Sequence, residues 1–575
     1  MKRKILIFSA VVTLLTGCLN EKNESYTTTD NYFQDVNQIM TGINGCYNSL
    51  RNIYSARGFW EMTDVAADLM YTSSSSLYNS NCDVSPARPG IASTVWRYGY
   101  AGVKDTNEMT AAIDAAVENG YITEEEAAPL YAETAVLRAM YYYLLTSTFG
   151  DVPFYAERVT EENRERIATL PRMDAEATRD YCIAELDRWL VREQALPMVR
   201  TYEGNEFRAG AAVGYVVAAK MCMWNERWEE AIAFLSKVED IYGHYADSPS
   251  SFGTDYPLTD VPFSKRYVKE SIFEMGNVVE SYGTQTTAMI AACCLPSRVA
   301  NSVIENALNP DSGTDDEYTE EDGEQLEDNS GSDCYAGIRI PELGGNSRTS
   351  ATARPTTYLY SRLMPYASTD LRSGEYSSGE DSPRGGSGTL AWRWIGYDPI
   401  EDPENKDRKV MFFWSSSSSK SKIKATDRPW MGNKFWAYDM NNTKDPNNYK
   451  IFRFADVLLM KAEAHLQMGE FDLACKYLNV TRVRAGLNEI AYASVGSEPE
   501  ALMEEIRMER ARELVGEFHR KFDLVRWGIW YERTVAYNEG SYLKEYIRPC
   551  HRYWPIPADQ VAYSGNALDN DEYLE

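Results

Sequence analysis

The sequence predicts a mainly α fold, a tetratricopeptide-like helical-repeat scaffold carrying irregular, loop-rich insertions. Three observations lead there. Apolar residues recur at helical spacing through the first 240 positions, two stretches 243 residues apart repeat one another, and the composition of 243–445 shifts to Gly, Ser, Asp and Pro with no helical period. With 575 residues, 44% hydrophobic and 25% charged, the chain has the composition of a globular protein and ample material for a core.

The first helix is expected over 37–54, where Ile39, Met40, Ile43, Tyr47, Leu50 and Ile53 fall on one stripe. The pattern repeats at 95–117 and more strongly at 124–149, which stops at Gly150 with Pro153 just beyond. Helical patterns at 174–190 and 209–241 follow. Trp96, Trp224 and Trp228 lie within these patterns and are assigned to the core. The internal repeat pairs AAKMCMWNERWEEA at 218–231 with KAEAHLQMGEFDLA at 461–474, so that Ala219/Ala462, Trp228/Phe471, Ala231/Ala474 and Leu235/Leu478 coincide. Small residues on either side of a turn and an aromatic let two antiparallel helices approach closely, as in tetratricopeptide hairpins.

The middle should hold loops, short helices and a few strands. Within it, 311–328 carries ten acids and no base. A solvated insertion is the plain reading; carboxylates could also ligate calcium, but the Asp-x-Asp-x-Asp-Gly order is absent and no cofactor is assigned. Helical pattern returns at 451–468, 471–485 and 498–517. In the last of these, Glu505, Glu509, Arg512 and Glu513 are spaced to pair along a helix face.

The N-terminus reads as an export signal. Lys2, Arg3 and Lys4 precede an apolar run at 5–15 too short to span a bilayer, and Leu15-Thr16-Gly17-Cys18 looks like a lipobox. The expected organisation is a signal peptide at 1–17, a tether at 18–30 anchored through lipidated Cys18, and one domain at 31–575 divided into 31–242, 243–445 and 446–575. Losing the three N-terminal bases takes the formal charge from -28 to -31, a balance that disfavours nucleic acid. Four histidines without HExxH spacing offer no catalytic zinc site, and no P-loop or nucleophile elbow is present. The SxxK form at 417–420 lies in a serine run. No catalytic or metal-ligating residue is assigned. Nine cysteines remain after Cys18, an odd number with no CxxC, and read as small core residues; a bridge such as Cys82 to Cys334 stays open.

Several motifs carry a resemblance. FRFADVLLMKAEA at 452–464, RVRAGL at 482–487, ERAREL at 509–514, RKFDLVRWG at 520–528 and PIP at 555–557 are similar to the SusD/RagB family of outer-membrane lipoproteins. Residues 96–107, LRAMYYY at 137–143, FGDVP at 149–153 and DLR at 370–372 agree. Phe518 departs from the pattern, standing where the family usually has Gly, and LDNDEY at 568–573 is a loose version of the usual ending. The resemblance implies four tetratricopeptide-like hairpins with a ligand surface built from irregular segments. It also implies a non-catalytic receptor on the cell exterior that passes glycans, or in some members peptides, to a SusC-like TonB-dependent transporter in the outer membrane.

A glycan presents apolar C–H faces and a rim of hydroxyls, so its receptor needs exposed rings beside polar side chains. An aromatic share of 12%, with 40 Tyr and 13 Trp, supplies the rings. Three loop segments are the candidates. The first holds Tyr71, Tyr78, Asn79, Asn81 and Arg88; the second begins at Tyr335 and runs to 360; the third holds Trp392, Arg393, Trp394 and Trp414. A surface glycosidase acting through two carboxylates is the rival reading, but 86 acids make such a pair uninformative.

Overall fold

The computed structural model describes residues 32–197, 208–277, 289–294, 352–365, 368–374, 388–391, 429–435 and 447–574, with backbone strands at 337–340, 345–346, 400–402 and 405–413. Helices dominate. Helix α1 (Val36–Tyr54) is opened by Asp35, whose carboxylate accepts the Gln38 N–H, and buries Ile39, Ile43, Leu50 and Ile53. Helix α2 (Ala92–Glu118) packs on α1. Helix α3 (Glu124–Phe149) begins with a reciprocal capping box between Thr123 and Glu126 and ends at Gly150. Next come α4 (Ala175–Leu186), α5 (Ala211–Trp224) and α6 (Trp228–Tyr242), then, far along the chain, α7 (Phe454–Gln467), α8 (Phe471–Arg484) and α9 (Pro499–Leu514).

The pairs α1/α2, α3/α4, α5/α6 and α7/α8 each pack together, and α2 lies on α3, α4 on α5, and α6 on α7. Four hairpins thus stack in sequence, as a tetratricopeptide-like scaffold requires. The internal repeat corresponds to the third and fourth hairpins. Ala219, Ala462, Ala231, Ala474, Leu235 and Leu478 are all fully buried. The turns also match. Glu226 and Gly469 occupy equivalent positions and both take left-handed φ, 56° and 77°. After them, the Arg227 N–H donates to Cys222 O and the Glu470 N–H to His465 O, each at 2.8 Å, which satisfies a carbonyl at the helix end.

Because α6 packs on α7, the intervening segment leaves and re-enters the stack at one place. Its strands in chain order are β1 (Met70–Tyr71, which precedes the segment), β2 (Ser271–Met275), β3 (Arg354–Pro355), β4 (Leu390–Ala391), β5 (Trp430–Met431) and β6 (Tyr449–Arg453). Antiparallel pairing of β2 with β6 zips the exit to the return. Backbone strands Gly337–Ile340 and Asn405–Phe413 pair antiparallel further out.

Three sequence expectations change. The stretch 209–241 is two helices, broken by the turn at Asn225–Arg227. The helical pattern assigned from 451 begins at Phe454, because Ile451, Phe452 and Arg453 belong to β6; every residue of that strand is buried, so it lacks the alternation that marks a half-exposed strand. The pairing expected along α9 is realised only in part. Glu509 and Glu513 are buried and pair mainly with arginines from other segments, although Arg512 Nε does meet Glu509 Oε2 at 3.0 Å along the helix. Trp96 is in the core as expected, while Trp224 and Trp228 are half-buried at its edge.

Candidate ligand-binding surface

The three segments singled out by sequence share a root. Strand β3, at the end of the second segment, pairs antiparallel with β1, matching Met70 to Pro355 and Tyr71 to Arg354. The Thr356 N–H donates to Leu69 O at 3.0 Å and its hydroxyl to Asp68 O at 2.9 Å. Strand β3 also contacts β5, which pairs with β4, and β4 ends at the residue before Trp392.

The loop after β1 is built from its own polar groups. Asn79 Oδ1 accepts the Ile91 N–H at 2.8 Å, and Asn79 Nδ2 donates to Glu61 Oε2 at 3.3 Å. A Cβ on Gly90, whose φ is +58°, would strike Asn79 Oδ1, so glycine is needed there twice over. Asn81 is fully buried and donates from Nδ2 to Ser74 O at 2.8 Å. The Asp83 N–H donates to Tyr78 O at 3.0 Å and closes the turn. Burial raises the pKa of Glu61 despite the Arg57 guanidinium 2.7 Å away.

Of the exposed side chains of this loop, which include Ser73, Ser75, Ser76 and Ala87, two are large. The Tyr78 ring is 45% exposed and the Arg88 guanidinium lies 4.8 Å from its centroid. Asp83 forms an ion pair with Arg88 and steadies it. Asp83 was not among the sequence candidates; a lone acid among the polar residues before Arg88 was the only available signal. Tyr71 is 7% exposed in β1 and Asn81 has no exposure, so both hold the loop and offer no surface to a ligand as the loop stands. Asn79 is likewise spent on positioning. Tyr335, Trp392, Arg393, Trp394, Trp414, Cys18 and Cys334, together with the acidic stretch 311–328, lie outside the described residues.

A buried ion network joins the described parts of the inserted segment to the helices that follow it. Arg372, 2% exposed, donates to Asp370, Glu509 and Glu513 at 2.8–2.9 Å. Glu513 also receives Arg453 at 3.0 Å and Arg484 at 2.6 Å. Arg453 reaches Glu270 at 2.7 Å and Glu517 at 2.8 Å, and Lys434 Nζ reaches Glu517 at 2.6 Å. Burial would raise these carboxylates, but the surrounding guanidinium groups win. Glu509 is held down at about 2, and Glu513 is held well below the usual range. Glu270, Arg372 and Lys434 come from the beginning, middle and end of the inserted segment, so the network ties it at three points to α8, α9, β6 and Glu517.

Among the described residues the cysteines are thiols, seven buried and Cys550 half-buried. No helix there is long and apolar enough to cross a membrane, and no cluster of His, Cys, Asp and Glu is arranged to hold a metal ion.

Comparison with known proteins agrees with this architecture. Over 99% of its length the chain is 24% identical to a SusD-like protein of Formosa agariphila, covering 98% of that protein. Two solved structures share its fold. One is surface glycan-binding protein A from Bacteroides uniformis, with TM-score 0.62 and 21% identity over 93% of this chain and 99% of that one. The other is surface glycan-binding protein A from Bacteroides thetaiotaomicron in complex with laminarihexaose, with TM-score 0.60 and 19% identity over the same shares. Residues 18–212 match a family described as starch-binding associating with outer membrane, and residues 269–573 match the SusD family. With more than half of its length matched, from the insertion through the last helices, the chain belongs to the SusD family.

Proposed function

We propose that this protein is a non-catalytic receptor that captures a glycan at the cell surface and hands it to a SusC-like TonB-dependent transporter, held to the outer membrane through a lipid on Cys18. The observation that carries this reading is the Tyr78–Arg88 pair: an exposed ring with a cation over it, on a loop shaped by the hydrogen bonds of Asn79 and Asn81 and by the Asp83–Arg88 ion pair. Pre-ordered side chains lose little entropy on binding, and a ring beside a guanidinium suits a sugar's C–H face and hydroxyl rim. The laminarihexaose complex of the Bacteroides thetaiotaomicron relative supports the ligand class. The match to a family named for outer-membrane association supports the location.

Calorimetric titration of the purified protein against a panel of polysaccharides tests the proposal. Saturable binding without release of shorter products is expected, and Tyr78→Ala should weaken it by about tenfold, the scale of one stacking contact. Cleavage of the ligand would make the protein an enzyme, and saturable binding of peptides alone would replace the glycan with a peptide.

A further inference from the structure

We infer that Arg354, in the strand pair at the root of the candidate surface, is a further ligand-contacting residue, and that its guanidinium receives an oxyanion of the glycan, a uronate carboxylate or a sulfate ester. The inference rests on the glycan-receptor reading above and specifies its ligand.

Arginines find acids readily in a chain with 86 Asp and Glu against 58 Lys and Arg. Even half-buried ones do so: Arg57, Arg172, Arg227, Arg507 and Arg533 each meet a carboxylate at 2.5–3.1 Å. Arg354 does not. It is half-buried in β3, yet its guanidinium has no hydrogen-bond, ion-pair or ring partner among the described residues. Its nitrogens all keep access to solvent. A half-covered cation with an open fork has already lost part of its side-chain freedom without being neutralised, so a ligand that fills the fork has less ordering to do.

The backbone that carries this side chain is fixed on both sides. The Ala353 N–H donates to Cys293 O and the Thr356 N–H to Leu69 O, each at 3.0 Å. Between them Arg354 stands directly opposite Tyr71 in the antiparallel β1/β3 ladder, which puts the two Cβ atoms about 5 Å apart on one face. Tyr71 is the last residue of β1, and the loop bearing Tyr78 and Arg88 follows it. Arg354 is therefore held beside the strand that feeds that loop. A planar guanidinium donates two parallel N–H bonds, a geometry that an oxyanion accepts and a single sugar hydroxyl does not. With a formal charge of -28 the molecule as a whole repels polyanions, so a preference for them requires a local donor of this kind.

Matched polymers test this: polygalacturonate against its methyl ester, and dextran sulfate against dextran, titrated into the purified protein. The charged member of at least one pair should bind at least about tenfold more tightly, and the pair that responds distinguishes carboxylate from sulfate. Arg354→Gln should abolish the preference while holding the thermal midpoint within about 2 °C, since the side chain has no partner to lose. Arg354→Lys, which keeps the charge but not the fork, should retain only part of it. Arg362 supplies the control. It is exposed later in the same segment, 5.9 Å from the Tyr358 ring centroid and without a carboxylate partner among the described residues, so Arg362→Gln removes the same charge and should leave the preference in place. Equal binding within both pairs, a preference that survives Arg354→Gln, or one that Arg362→Gln removes equally, overturns the inference and leaves glycan capture standing. No binding by any neutral or charged glycan overturns both.

Discussion

Of the seven non-glycine residues that sit in left-handed backbone among the described residues, Glu226 and Phe518 should respond to substitution by glycine in opposite directions. Glu226 is exposed at the turn of the third hairpin, with φ 56°. Relief of the backbone penalty, roughly 1–2 kcal/mol, outweighs glycine's entropy cost of about 0.5–1 kcal/mol, so Glu226→Gly should stabilise by about 0.5–1 kcal/mol in urea unfolding. The fourth hairpin already has Gly469 at the same place. Phe518, at φ 67°, is only 2% exposed and meets the rings of Tyr54, Phe59 and Tyr449 at 5.4–5.8 Å. Emptying that site costs about 3–5 kcal/mol, more than the strain it relieves, so Phe518→Gly should destabilise by about 2–3 kcal/mol in the same measurement. The departure from the family's usual glycine is therefore compensated by packing. Sequence showed that Phe518 was out of pattern; only the ring contacts show why it persists.

At the scale of elements, legibility followed periodicity. Helices α1, α2 and α3 each carry a stripe or a cap signal, and their predicted limits lie within a few residues of those observed. Strand β6 was unreadable, because a run buried on both faces has no period of two and merges with the helix that follows. The site was legible as segments but not as side chains. Composition pointed to the loop holding Tyr78 and Arg88, yet nothing local distinguishes these from Asn79, whose amide bonds Ile91 and Glu61, or from Asn81, which is buried and donates to Ser74 O. The ion network was invisible for the same reason, since its partners lie far apart in sequence. Arg372 is its sharpest test. Arg372→Met leaves Glu509 and Glu513 short of a buried counter-charge, and removing one partner of such a group costs about 3–5 kcal/mol. Urea unfolding should show that loss, and limited proteolysis should cut 243–445 faster than in the unaltered protein. A loss below about 1 kcal/mol would show that the network does not hold the insertion to α9.

For the whole molecule, the response to acid depends on buried groups that pull in opposite directions. His519 is held down to about 4 from 6.5, first by burial and then by Lys220, against the pull of Asp456, Asp523 and Glu517. Its unfolded form takes up a proton before the folded form does, so its stabilising contribution is complete above pH 6.5 and is lost as pH falls towards 4. Asp64 behaves in reverse. Burial lifts it to about 7 from 3.8, although the Thr63 hydroxyl and the N–H groups of Gly516 and Phe518 favour its charged form. The folded state therefore binds the proton first, and stability is gained as pH falls from 7 to 3.8. These two shifts are of similar size and nearly cancel between pH 6.5 and 4, but His551, lowered to about 3 from 6.5 chiefly by burial, adds a further loss of stability as pH falls through the same window. Lys521, lowered to about 7 by burial, and Lys450, lowered to about 8, act above this window. Below it, Glu509 and Asp523, both held at about 2, lose their ion pairs with nothing to offset them. The thermal midpoint should accordingly decline gently from pH 6.5 to 4.5 and fall steeply below 4. His519→Asn should make the midpoint nearly level from pH 6.5 to 4.5, and Asp64→Asn should make it fall more steeply there. Parallel profiles for both variants and the unaltered protein would mean that neither group sets the acid response, leaving it to His551 and the carboxylates of the network.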